Sequence, residues 1–256
     1  MTDLAPAPDS VPAAIAKPER LNVWETFGWA LLAIVLAQVA LTAVVIVWFP
    51  EQIPTSATTQ TYTGVLVALV ALISNPIEIA FLAIIARWRT GRSALDYLGL
   101  VGFRRRDLLI GVFAIVGLAL AFDVIDPYIG VDVVPPFETD VFSTVRDSVW
   151  LVPLALAVVV IAPIGEEVIF RGFLFRSWVR PGRWGVVAVA LISFLWAALH
   201  LQQYSFAIVA QIFVIGLVLG WMRWRSGSTW LTIVLHVLVN FESTIETVLK
   251  ITWSAH

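Results

Sequence analysis

LVPLALAVVVIAPIGEEVIFRGFLFRSW, from Leu151 to Trp178, decides how this chain reads. Between Leu151 and Gly165 no residue is charged, so the segment begins as a membrane-spanning helix. Glu166 and Glu167 then follow, with Arg171 one helical turn further on. Ionisable groups at bilayer depth are costly, and the default reading makes them functional. Pro163 and Gly165, just before the glutamates, predict a kink or an opened turn.

Working outward, other apolar runs extend the pattern. A first span covers Thr26 to Pro50, a second about Gly64 to Ala86 with Glu78 inside it, and a third about Leu108 to Phe122. The fourth is the opening segment, from about Val149. Between Arg183 and Arg223 lie 39 residues without Lys, Arg, Asp or Glu. One span needs only about 20 residues, so this run splits near Gln202–Ser205. A last span runs from about Ser228 to Leu249. The expectation is an all-α, polytopic membrane helix bundle of about seven transmembrane helices. Continuous apolar runs favour helices over a barrel, whose strands alternate.

Composition agrees. Of 256 residues, 60% are hydrophobic and 13% charged. No cysteine is present, which excludes a thiol nucleophile, cysteine zinc sites and disulfides. A net charge of -2 gives no reason to expect a nucleic-acid partner. Residues 1–24 read as a disordered cytoplasmic tail, 25–148 as N-terminal membrane helices, and 149–250 as a catalytic membrane core. The connection 87–107 reads as an amphipathic segment at the cytoplasmic surface, and the acidic, proline-containing stretch Asp123–Asp147 as a solvated loop.

With the N-terminus inside, Lys17, Arg20, Arg87, Arg89, Arg92, Arg104, Arg105, Arg106, Arg176, Arg180, Arg183, Arg223 and Arg225 all fall on one side. Only Arg146 and Lys250 fall on the other, which collects Glu51, Asp123, Asp126, Asp132, Glu138, Asp140 and Asp147. The positive-inside rule then predicts a multi-pass cell-membrane protein with a cytoplasmic N-terminus and an external C-terminus.

Helix rise places Glu166, His200 and His236, on three different spans, within the hydrocarbon layer. Groups so costly to bury should converge. Their estimated depths predict a shared cavity opening toward the arginine-rich side. Glu167 and Arg171, four apart with the acid first, suit an intrahelical pair, while Glu166 faces another helix. Trp196 and His200 share a face, as do His236 and Asn240. This set permits water activation: Glu166 with His200 as the base pair, and His236 with Asn240 as oxyanion donors. Spacing alone equally permits a zinc site using Glu166, His200 and His236, although HExxH is absent. Structural ion pairing and ordinary interhelical hydrogen bonding are the bland alternatives.

Taken in order, these residues resemble the CAAX-processing and bacteriocin-processing, abortive-infection-type family of intramembrane proteases. The motifs are Glu166-Glu167 with Arg171, an aromatic (here Trp196 where the family usually has Phe) before His200, and His236 before Asn240. The resemblance covers about residues 149–245. It implies an intramembrane endopeptidase in which Glu166 and His200 activate water, His236 and Asn240 hold the oxyanion, and Glu167 and Arg171 support them. It also implies a peptide or lipidated-protein substrate met in the lipid bilayer. Members of the family have long been called metalloproteases, yet a mechanism without metal or cofactor is expected here, because these residues supply base and oxyanion donors unaided. The competing readings are a non-catalytic immunity or scaffold protein of the same fold and a proton-coupled transporter.

Overall fold

The structure, a computed structural model, describes residues 20–53 and 62–253. Most of the expected N-terminal tail, residues 1–19, lies outside them. Among the described residues, six helices are long and apolar enough to cross a membrane: α1 Val23–Trp48, α2 Gly64–Thr90, α4 Arg105–Ile129, α6 Leu151–Trp178, α8 Phe206–Ser226 and α9 Thr229–Trp253. The remaining expected span is the shorter apolar helix α7, Arg183–Ala198, at about 24 Å. Two short helices, α3 Ala94–Tyr97 and α5 Pro136–Ser143, cap opposite ends of the bundle. The chain is an all-α membrane helix bundle.

α1 shows how these sequences become helices that fit lipid. Asn22 and Glu25 form a reciprocal capping box at its start. Its large residues, among them Val39, Ile46 and Val47, point outward. Ala30, Ala33, Ala37 and Leu41 form the buried stripe, which packs on α2. Lipid tails are as apolar as leucine, so close backbone approach through small residues, rather than area burial, holds such helices together.

α2 and α6 share a second device. Each widens into a π-helical turn just ahead of a proline: Val70–Ser74 before Pro76, and Ala157–Ile161 before Pro163. A proline has no N–H and its ring crowds the carbonyl four residues back, so an opened turn relieves both problems. The opened turn expected at Pro163 is therefore present. A further π stretch, Val168–Leu174, follows the glutamates. α2 and α6 touch where these irregular turns meet. A Cβ on Gly165 would lie 1.7 Å from Asn75 Oδ1, so only glycine admits that contact.

Two connections read as surface segments also contribute to the packing. In 87–107, Ser93 caps α3, and Arg92 pairs with Asp96 at 2.7 Å. That guanidinium holds the Asp96 carboxyl below its usual range. Tyr97 and Leu98 turn inward and are fully buried, and burial pushes the Tyr97 phenol up. Gly99, at φ +67°, lets its carbonyl meet Thr229 N at 2.7 Å, while Leu98 O accepts from Thr229 Oγ1 at 2.6 Å. The segment is thus a plug under the arginine-rich end. In Asp123–Asp147, α4 continues to Ile129 and α5 packs Val141 and Phe142 against α2 and α9. The apolar residues interspersed among these acids bury this stretch, which is not simply a solvated loop.

Candidate membrane-embedded active site

The fourth span supplies two glutamates with opposite fates. Glu167 and Arg171 are both fully buried, and Arg171 Nη1 donates to Glu167 Oε1 at 2.7 Å. Arg171 Nη2 also donates to Gly216 O at 3.2 Å, and its guanidinium stacks 4.5 Å from the Trp196 ring. Glu166, about 100° around the helix, faces away from this pair. It accepts a hydrogen bond from the Trp196 indole N–H, Nε1 to Oε2, at 2.6 Å.

The two histidines are held in matching ways. His200 follows α7 and places Nδ1 3.1 Å from Trp196 O. A carbonyl can only accept, so Nδ1 carries a hydrogen, and in the neutral ring Nε2 has the free lone pair. His236, on α9, places Nδ1 3.1 Å from Glu167 Oε1, again leaving Nε2 on the far side of the ring. Trp196 lies between them, edge-on to His200 at 5.5 Å and to His236 at 5.2 Å.

Asn240 donates from Nδ2 to Val158 O at 2.9 Å. The reason lies in the opened turn. Ala162 N–H bonds to Ala157 O, so the next carbonyl, Val158, would look to residue 163. Residue 163 is proline and has no hydrogen to give. Asn240 satisfies that orphaned carbonyl, which is the ordinary interhelical role weighed from the sequence. Its second amide hydrogen is not used by this bond.

Glu166, Trp196, His200, His236 and Asn240 all line one cavity of about 480 Å³. Glu167 and Arg171 lie behind its wall. No hydrogen bond joins Glu166 to His200 directly; Trp196 bonds to both. The cavity does not extend toward the arginine-rich end, as the depth estimate expected. Its lining continues through Asp123 and Asp126 of α4, Glu138 of α5, Tyr204, and Glu242 and Glu246 of α9. Distances along helices could not reveal that the plug at Leu98–Gly99, with Arg223 donating to Arg171 O at 2.9 Å, closes the other end. Near the acidic mouth, Glu138 accepts from Tyr204, Ser243 and Thr247, tying α5 across the cavity. Burial and the Glu138 charge push the Tyr204 phenol well above its usual value.

The zinc alternative asks Glu166, His200 and His236 to bring ligand atoms to a common point. Among the described residues the group of three that meets within 4.8 Å is Asp123, Glu242 and Glu246, not these. The three residues of that alternative do not fit a zinc ion in this arrangement.

Three participants escaped the sequence reading. The shared face of Trp196 and His200 does not disclose where the indole N–H points. Asn75 and Glu78 of α2 are buried, and Glu78 lies within electrostatic reach of Glu166. A charge inside the second span was the available signal for Glu78.

The fold is that of a multi-pass membrane protein, with a cluster of Glu, His, Arg and Asn side chains inside the bundle. Residues 148–241 match the family described as Type II CAAX prenyl endopeptidase Rce1-like, a stretch that contains every residue of the cluster. The chain is also similar to an Escherichia coli protein described as "Uncharacterized 24.3 kDa protein", 31% identical over 103 residues. That match covers 40% of this chain and 47% of the relative, so it spans about half of the relative's length. No solved structure matches.

Proposed function

We propose that the chain is an intramembrane endopeptidase that hydrolyses a peptide bond of a membrane-associated or prenylated substrate. One observation supports this most. Glu166, His200, His236 and Asn240, brought from three parts of the bundle, line a single cavity. Behind that cavity the Glu167–Arg171 pair is sealed from solvent.

In this reading a water sits between Glu166 and His200. Glu166 takes one proton as the water oxygen attacks the scissile carbonyl carbon. The oxyanion that forms is held by the remaining Asn240 N–H and by His236 Nε2, a donor in its protonated form. The intermediate collapses, the C–N bond breaks, and the proton on Glu166 passes to the leaving amine, with His200 Nε2 as relay. Glu167 fixes the His236 ring, and Arg171 fixes Glu167. Ile115, Val116, Ile212, Ile215 and Val239 give the cavity an apolar wall suited to a lipid chain or apolar peptide. Residues 149–250 carry the chemistry, and α4 and α5 complete the chamber. With the arginine-bearing ends in the cytoplasm, the N-terminus is cytoplasmic, the C-terminus external, and the cavity faces the external half of the bilayer.

The test compares membrane peptides from cells carrying wild-type protein and Glu166→Gln protein at equal membrane levels. A product present only with wild type supports the proposal and identifies the substrate. Identical peptide sets would favour the non-catalytic immunity or scaffold alternative.

A further inference from the structure

We propose that Trp196 is a positioning residue for Glu166. Its indole N–H holds Oε2, so that Oε1 is the oxygen presented to the attacking water. This rests on the reading of Glu166 as the base.

Four observations converge. Trp196 is nearly fully buried, so its N–H needs a partner inside the protein, and Glu166 Oε2 is that partner at 2.6 Å. The indole N–H can only donate, so the carboxylate oxygen is the acceptor. The ring is itself locked. Arg171 stacks on one face at 4.5 Å, both imidazoles meet it edge-on, and a Cβ on Gly216 would lie 3.0 Å from it. Among the described residues no protein donor reaches Oε1. One carboxylate oxygen is therefore tethered and the other left to the cavity.

The tether also links the site. Trp196 gives its N–H to Glu166 and its carbonyl to His200 Nδ1. One residue sets both the carboxylate and the tautomer of the imidazole that face the same cavity. Phenylalanine, usual at this place in the resembling family, fills the space of the six-membered ring but has no hydrogen to donate. In this chain the motif's aromatic has gained a polar function that ring packing alone does not supply.

Trp196→Phe separates the two functions. The assay probe is an internally quenched peptide carrying a farnesylated cysteine, presented in proteoliposomes. The variant should lose about 10- to 100-fold in kcat, the scale expected for a misplaced reacting group, with KM within about threefold of wild type. In a Glu166→Asp background, where the carboxylate has withdrawn by one methylene, the same change should cost little more. Unchanged kcat, or a loss that is additive with Glu166→Asp, overturns the inference. Full activity of Glu166→Gln would instead overturn the reading of Glu166 as base.

A measurement independent of turnover stands beside it. In ¹⁵N-tryptophan-labelled protein, the indole resonance that vanishes in Trp196→Phe identifies Trp196. It should be protected from hydrogen exchange and should move on Glu166→Gln. An exchanging resonance indifferent to Glu166→Gln overturns the inference even if no peptide probe is cleaved.

Discussion

Arg171→Ala should damage the protein before it damages the chemistry. The wild-type guanidinium is fully buried and serves three partners: Glu167 at 2.7 Å, Gly216 O at 3.2 Å and the Trp196 face at 4.5 Å. Its removal leaves Glu167 buried without its countercharge and opens a void beneath Trp196. Breaking a buried ion pair from one side costs about 3–5 kcal/mol. A global stability of about 5–15 kcal/mol would be cut substantially. Glu167→Gln/Arg171→Met removes both charges at nearly constant volume, so it should cost less than the sum of the two single changes by at least about 1 kcal/mol. The assay is thermal unfolding and folded yield in detergent, read side by side for all variants. An Arg171→Ala protein with wild-type stability, or strict additivity in the double variant, would refute the reasoning.

Other expectations follow from separate contacts. Gly165→Ala forces a Cβ onto Asn75 Oδ1, so it should destabilise by about 1–3 kcal/mol and be partly rescued by Asn75→Ala, both read by thermal unfolding. The Tyr204 phenol is raised above its ordinary value of about 10, so the folded state binds that proton more tightly than the unfolded state. Its contribution is full below pH of about 10 and is lost as pH rises beyond it; an alkaline stability scan should show a loss that is smaller in Tyr204→Phe. Cleavage should survive prolonged chelation, because Glu166, His200 and His236 do not converge as zinc ligands; activity lost to a chelator and regained with zinc would contradict this.

The helices were legible because lipid demands long apolar runs, and charge asymmetry was the reason to expect a further span where the structure has the shorter helix α7. The Glu167–Arg171 pair was legible because it is local, four residues apart on one helix. What escaped was non-local. Nothing in SALDYLGL announces that Tyr97 and Leu98 turn into the bundle and close its arginine-rich end. Without that plug, depth alone misjudged which way the cavity runs. Pro76 and Pro163 were visible in sequence, yet the carbonyl that Pro163 orphans, and hence the anchoring of Asn240, required the opened turn to be seen. Trp196 illustrates the same limit. Its aromatic character was readable from the spacing, but the direction of its N–H was not.

The most direct measurement is cleavage of the farnesylated, internally quenched peptide by purified protein in proteoliposomes without any ion gradient, for wild type and Glu166→Gln at matched folded levels. The account predicts cleavage by wild type at a single peptide bond and none above background for Glu166→Gln, with both proteins unfolding at the same temperature. Equal cleavage by the two would remove Glu166 from the base role, and cleavage by neither would contradict the proposed endopeptidase.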